Sequence, residues 1–136
     1  MLMNAGCAEW DRSDPDGTGY LSAADRRVQE ERARNGDTEA MLKLRLHFDA
    51  ADDLETSRLW LKRAANAGDM NAMTDLGRIM CNAKDLPAKK QGWQWLGRAE
   101  SAGHKGLTTI QSSLRCKAEI ENLERLAQEA ASKKSN

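Results

Sequence analysis

WLKRAANAG, residues 60–68, and WLGRAESAG, residues 95–103, decide how this chain is read. They carry tryptophan, leucine, arginine and alanine at the same places and end on the same alanine-glycine pair. Trp60 and Trp95 are 35 residues apart, as are Ala64 and Ala99. A second type of segment starts at the glycines: GDTEAMLKL from Gly36, GDMNAMTDLG from Gly68 and GHKGLTTIQ from Gly103. These glycines recur at intervals of 32 and 35 residues. Upstream of Gly36, VQEERARNG keeps the length and the ending but puts Val28 at the tryptophan position. A period in the mid-thirties is that of helix pairs stacked one on the next.

The residue types fit that reading. Each glycine follows a helix and suits the left-handed position beyond its end, where a side chain would clash. Ala40, Ala72, Ala64 and Ala99 are small enough for neighbouring helices to approach closely. Leu44 and Leu76 fill the space within each pair, and Trp60 and Trp95 are large fillers at equivalent positions. Pro87 begins a helix after the connector 83–86, where its missing N–H costs nothing. The pattern predicts helices at about 22–35, 37–49, 54–67, 69–82, 88–102 and 104–131. In the last, Ile120, Leu123, Leu126, Ala127 and Ala130 share a face. That face either caps the repeat array or docks a partner.

The pattern W-L-x-R-A-x-x-A-G followed by A-x-x-x-L-G resembles Sel-one-like repeats, a branch of the tetratricopeptide-type helical repeats. The likeness covers roughly residues 26–116 and is best over 56–80. It fades at 105–116, where Leu107 and Gln111 replace the usual small residue and leucine. The expected fold is all-α, a short right-handed α/α solenoid. It has an N-terminal segment at 1–25, repeats over 26–116, and a capping helix with tail over 117–136. The resemblance implies partner binding on the concave face, lined by Glu39, Leu42 and Leu46, then Asn71, Thr74, Arg78 and Asn82, then Thr109, Ser113 and Lys117. Trp93 lies about 200° around its helix from Trp95, so the two cannot face one core. It either anchors an interface or packs under the connector 83–87.

DPDGTGYLSAAD, residues 14–25, resembles an EF-hand calcium loop. Side-chain oxygens would come from Asp14, Asp16, Thr18, Ser22 and Asp25, a carbonyl from Tyr20, and the turn from Gly19. Thr18 in place of Asp or Asn, and Asp25 in place of Glu, imply weak affinity, with Kd of roughly 10⁻⁵ to 10⁻³ M. The competing reading is a metal-free turn that caps the next helix.

Composition sets the remaining bounds. Lys plus Arg and Asp plus Glu are both 21 in a chain of 136 residues, so net charge is zero and no nucleic-acid partner is expected. No apolar run approaches the roughly 18 residues of a membrane helix. Ala5-Gly6-Cys7 is similar to the end of a bacterial lipoprotein signal; with an upstream start, Cys7 would carry the lipid. The bacterial envelope is slightly favoured over the cytoplasm. Cys81 and Cys116 occupy equivalent positions on neighbouring helices whose axes would lie about 10 Å apart. A disulfide between them requires Cα atoms within about 7 Å, so the helices would have to converge. The alternative is two buried thiols in a reducing compartment. His47 and His104 fall in different parts of the repeat, and no nucleophile–base pair, phosphate loop or zinc-spaced cluster accompanies them. The expected function is non-catalytic protein–protein interaction, as an adaptor or as an inhibitor or immunity-type partner of another bacterial protein. A calcium-responsive binder is the alternative, and a repeat-containing hydrolase the more remote one.

Overall fold

The computed structural model describes residues 17–135. These are all-helical, with no strand among them. The helices are α1 (Ala23–Arg34), α2 (Thr38–Ala50), α3 (Leu54–Asn66), α4 (Met70–Cys81), α5 (Leu86–Ser101) and α6 (Leu107–Lys134). Every boundary lies within three residues of the one the sequence predicts.

The repeat is visible in how helices end. Gly36, Gly68 and Gly103 have φ of 89°, 101° and 102°. At each, the glycine N–H and the next N–H turn back to carbonyls of the last turn. Gly36 N bonds Ala33 O and Asp37 N bonds Arg32 O; Gly68 N bonds Ala65 O and Asp69 N bonds Ala64 O; Gly103 N bonds Glu100 O and His104 N bonds Ala99 O. This double bond pattern is the glycine-terminated helix end that satisfies orphan carbonyls. After the first two glycines comes an aspartate, and a new helix starts at once. Asp37 caps α2 by accepting the Ala40 N–H at 3.2 Å. Burial pushes its carboxyl up, but bonds from the Ala40 N–H and Arg32 outweigh this and hold its pKa below the usual value.

The third glycine behaves differently. His104 stands where the others have aspartate, and α6 begins only at Leu107, three residues later than expected. Its cap is Gly106, without a side-chain bond. The α5 start also differs. Asp85 is the cap, accepting from Ala88 N at 3.0 Å, so the helix opens at Leu86 and Pro87 occupies its second position.

The chain divides into two compact units between Asp69 and Met70. In the first, α2 packs against α1 and α3. Ala40, Leu44, Leu61 and Ala64 are buried at 1% exposure or less. In the second, α5 packs against α4 and α6. There Ala72, Leu76, Leu96 and Ala99 repeat the same residue types and are again buried. The tryptophans are half-buried rather than core fillers. Each is covered by the arginine of its own motif: Arg63 lies 4.5 Å over Trp60, and Arg98 lies 4.2 Å over Trp95. Stacking a guanidinium on an indole contributes about 0.5–1 kcal/mol at such sites.

Two glycines set the spacing of α4 and α5. A Cβ on Gly77 would fall 2.7 Å from Leu96 Cγ and 2.9 Å from the Gly92 carbonyl. A Cβ on Gly92 would fall 2.6 Å from Cys81 N and 2.7 Å from the Gly77 carbonyl. In the same unit Cys81 and Cys116 are bonded, with Cα atoms 5.6 Å apart. The helices therefore converge at this point, which resolves the two cysteine readings in favour of the bond. Leu96, Ile120 and Leu86 close around it.

The long helix α6 is covered on one side only as far as its middle. Thr109, Ser112, Cys116 and Ile120 are buried, but Leu126, Ala127 and Ala130 are exposed. The expected capping face thus leaves its C-terminal part uncovered.

Candidate functional site

The N-terminal loop is described from Gly17 onward; Asp14, Asp16 and Cys7 lie outside the described residues. Gly19, with φ of 79°, rests its backbone against Leu46. A Cβ there would sit 3.2 Å from both the Leu46 Cβ and its carbonyl oxygen. Leu21 follows, buried, and donates its N–H to His47 Nδ1 at 3.0 Å. The Tyr20 ring lies 4.8 Å from the His47 ring. Burial first, then the positive charge of Arg26, hold the His47 pKa below 6.5, with Glu30 opposing. His47 is thus a packing histidine that pins the loop to α2.

Two of the expected calcium ligands bond each other. Ser22 Oγ accepts the Asp25 N–H at 3.1 Å and donates to Asp25 Oδ2 at 2.5 Å. This is a reciprocal helix cap, in which the third residue of the helix answers the capping serine. Thr18 Oγ1 accepts the Tyr20 N–H at 3.3 Å. Among the described residues no three His, Cys, Asp or Glu side chains gather as a metal would require.

The expected partner-binding residues separate into two groups. Glu39, Leu46, Asn71, Arg78, Asn82, Trp93 and Lys117 are exposed, and Leu42 and Ser113 are half-buried. Thr74 and Thr109 are not on the surface; they are 6% and 1% exposed. Thr74 Oγ1 bonds the Met70 carbonyl at 3.0 Å and His104 Nδ1 at 2.8 Å, and Thr109 Oγ1 lies 3.4 Å from the same nitrogen. Through these contacts His104 links Thr74 on α4 with Thr109 on α6.

Two grooves flank α6 in the second unit. One, of about 350 Å³, lies between α5 and α6. Trp93 and Ile120 line it, with Lys90, Lys117, Glu121 and Glu124 around them. The charges pair across and along the groove: Lys90 meets Glu124 at 2.6 Å and Lys117 meets Glu121 at 3.9 Å. Trp93 is 40% exposed here. The other groove, of about 260 Å³, lies between α4 and α6 and is lined by Arg78, Thr108, Gln111, Ser112 and Arg115. Of these the sequence singled out only Arg78 as a binding residue.

Lys89 supports both helices from within. It is buried, yet its Nζ donates to the Cys81 carbonyl at 2.6 Å and to Glu119 Oε2 at 2.5 Å. No protein-family model, curated protein or solved structure matches this chain. Among the described residues no helix is long and apolar enough to cross a membrane.

Proposed function

We propose that this protein is a non-catalytic protein–protein interaction module built on Sel-one-like, tetratricopeptide-type repeats, acting as an adaptor or as an inhibitor or immunity-type partner. The observation that carries this reading is Trp93. It stands 40% exposed in a groove with Ile120 beside it and paired charges around it. A tryptophan ringed by polar groups is the residue type that concentrates binding energy when a partner covers it. The Cys81–Cys116 bond supports an oxidising setting, such as a bacterial envelope. The calcium-responsive alternative has less support, because Ser22 and Asp25 would first have to give up their mutual cap.

The test is capture from an extract of the source cells by tagged protein, with wild type, Trp93→Ala and Arg78→Ala compared. A specific partner retained by the wild type and lost by the variants, at unchanged thermal melts, is the expected result. A partner retained equally by all three would overturn the assignment of the surface.

A further inference from the structure

The Cys81–Cys116 bond lies behind the Trp93 groove. Cys81 ends α4, Cys116 lies on α6, and both are at 3% exposure or less. Ile120 follows Cys116 by four residues, on the same face of α6. It packs against the bond and also lines the groove beside Trp93. Breaking the bond would disturb that arrangement. Bonded sulfurs are about 2.0 Å apart, whereas heavy atoms without a bond between them settle at about 3.5–4.0 Å. Two thiols therefore need roughly 1.5 Å more room than the bond does, in a close-packed core. α4 cannot yield toward α5. Gly77 and Gly92 already bring those helices backbone to backbone, and a Cβ on Gly92 would fall 3.0 Å from Cys81 Sγ. α6 can yield, because its ion pairs to α5 run through long side chains, Lys89 to Glu119 and Lys90 to Glu124. The same pairs keep α6 docked once the bond is gone. The fold also provides for the reduced pair. The Lys89 carbonyl oxygen lies 3.5 Å from Cys116 Sγ and 4.0 Å from Cys81 Sγ, where it can accept thiol protons that bonded sulfurs lack.

We infer that the Cys81–Cys116 pair is a redox switch for the groove between α5 and α6: the bond holds Ile120 in place beside Trp93, and reduction by a dithiol lets α6 shift and changes the groove while the protein stays folded. As regulation of partner binding the switch rests on the interaction reading above; the coupling of bond to groove does not. The chemistry is thiol–disulfide exchange. A thiolate of the dithiol attacks one sulfur of the pair, and the other leaves as a thiolate and takes up a proton. The second sulfur of the dithiol then displaces the first cysteine from the mixed disulfide. Two electrons and two protons pass to the cysteines, and the dithiol ends as a disulfide. Both sulfurs are buried, so attack waits on local opening at the end of α4.

The test compares isotope-labelled full-length protein before and after anaerobic treatment with dithiothreitol, with Cys7→Ser throughout so that the pair supplies every thiol. The reporters are the Trp93 indole N–H, the Ile120 methyl groups and amide exchange over residues 119–124, with the Trp60 indole as the internal control. Reduction should shift the Trp93 and Ile120 signals and speed exchange over 119–124 by roughly tenfold. The Trp60 signal should stay where it is, and the spectrum should keep its dispersion. Reoxidation should restore the first state. The double variant Cys81→Ser, Cys116→Ser should match the reduced spectrum and ignore dithiothreitol. Confirmed reduction with Trp93 and Ile120 unmoved would overturn the inference and leave the bond as a staple. Collapse of the whole spectrum on reduction would overturn it too, because a switch needs two folded states. Either failure leaves the capture test of Trp93→Ala standing. Equal capture by Trp93→Ala would reject the interaction surface and leave the coupling intact.

Discussion

The carbonyl of Gly92 would lie 2.9 Å from a Cβ on Gly77, and the carbonyl of Gly77 would lie 2.7 Å from a Cβ on Gly92. The two helices touch backbone to backbone, and neither position has room for a methyl group. Gly92→Ala would press on the Cys81 N–H as well, at 2.6 Å, and backbone atoms cannot swing aside. Overpacking of this kind costs about 1–3 kcal/mol, against a helix-propensity gain near 1 kcal/mol. Gly97 on the same helix has nothing within 4 Å, so Gly97→Ala should stabilise by about 0.5–1 kcal/mol. Urea denaturation of the pair of variants should therefore give shifts of opposite sign.

The Cys81–Cys116 bond closes a loop spanning 35 residues. On the chain-entropy account a loop of this length is worth about 4 kcal/mol, through the unfolded state. Cys116→Ala should lower the melting temperature by an amount on the order of 10 °C. In protein unfolded without reductant, Cys7 should be the only cysteine that reacts with a thiol reagent. Three reactive thiols in material from an oxidising compartment would contradict the bond.

Lys89 is the polar counterpart of that bond. Cys81 is the last residue of α4, and its carbonyl is one of those a helix end leaves unpaired. Lys89 Nζ satisfies it at 2.6 Å while holding Glu119 on α6. Lys89→Met keeps the apolar stem and removes the donor. The cost expected is about 1–3 kcal/mol, mostly from the carbonyl left without a partner, because Glu119 is nearly half exposed and can turn to water. Amide exchange should rise first around the end of α4.

What the sequence made legible was backbone chemistry that one residue type alone can supply. Gly36, Gly68 and Gly103 announced three helix ends because left-handed φ is cheap only for glycine. The spacing of small and large residues likewise placed Ala40, Leu44, Ala72 and Leu76 inside. Position on a helix did not reveal what each polar side chain would meet. Thr74 and Thr109 were expected on the binding face because the resemblance to tetratricopeptide-type repeats put them there, and only the fold brings His104 to both of them. The late start of α6 has the same origin, since a histidine replaces the capping aspartate. Arg115 and Ser112 were missed because a groove between α4 and α6 exists only once those helices converge.

His47 gives the fold a dependence on pH. Its Nδ1 can accept the Leu21 N–H only while that nitrogen is unprotonated. Burial and Arg26 hold its pKa below the ordinary 6.5. Between the lowered folded value and 6.5 the unfolded chain binds more protons than the folded one, so stability rises with pH across that window. The contribution is complete above the unfolded value and is lost as pH falls through the folded one. His47→Leu should cost about 1–3 kcal/mol at pH 7.5, because the buried Leu21 N–H loses its acceptor. It should also flatten the stability profile on the acid side of pH 6.5, where the wild type slopes. Denaturation midpoints of both proteins across that range check the two effects together. A wild-type profile that is flat there, or a slope that survives in His47→Leu, would move the proton-linked group elsewhere.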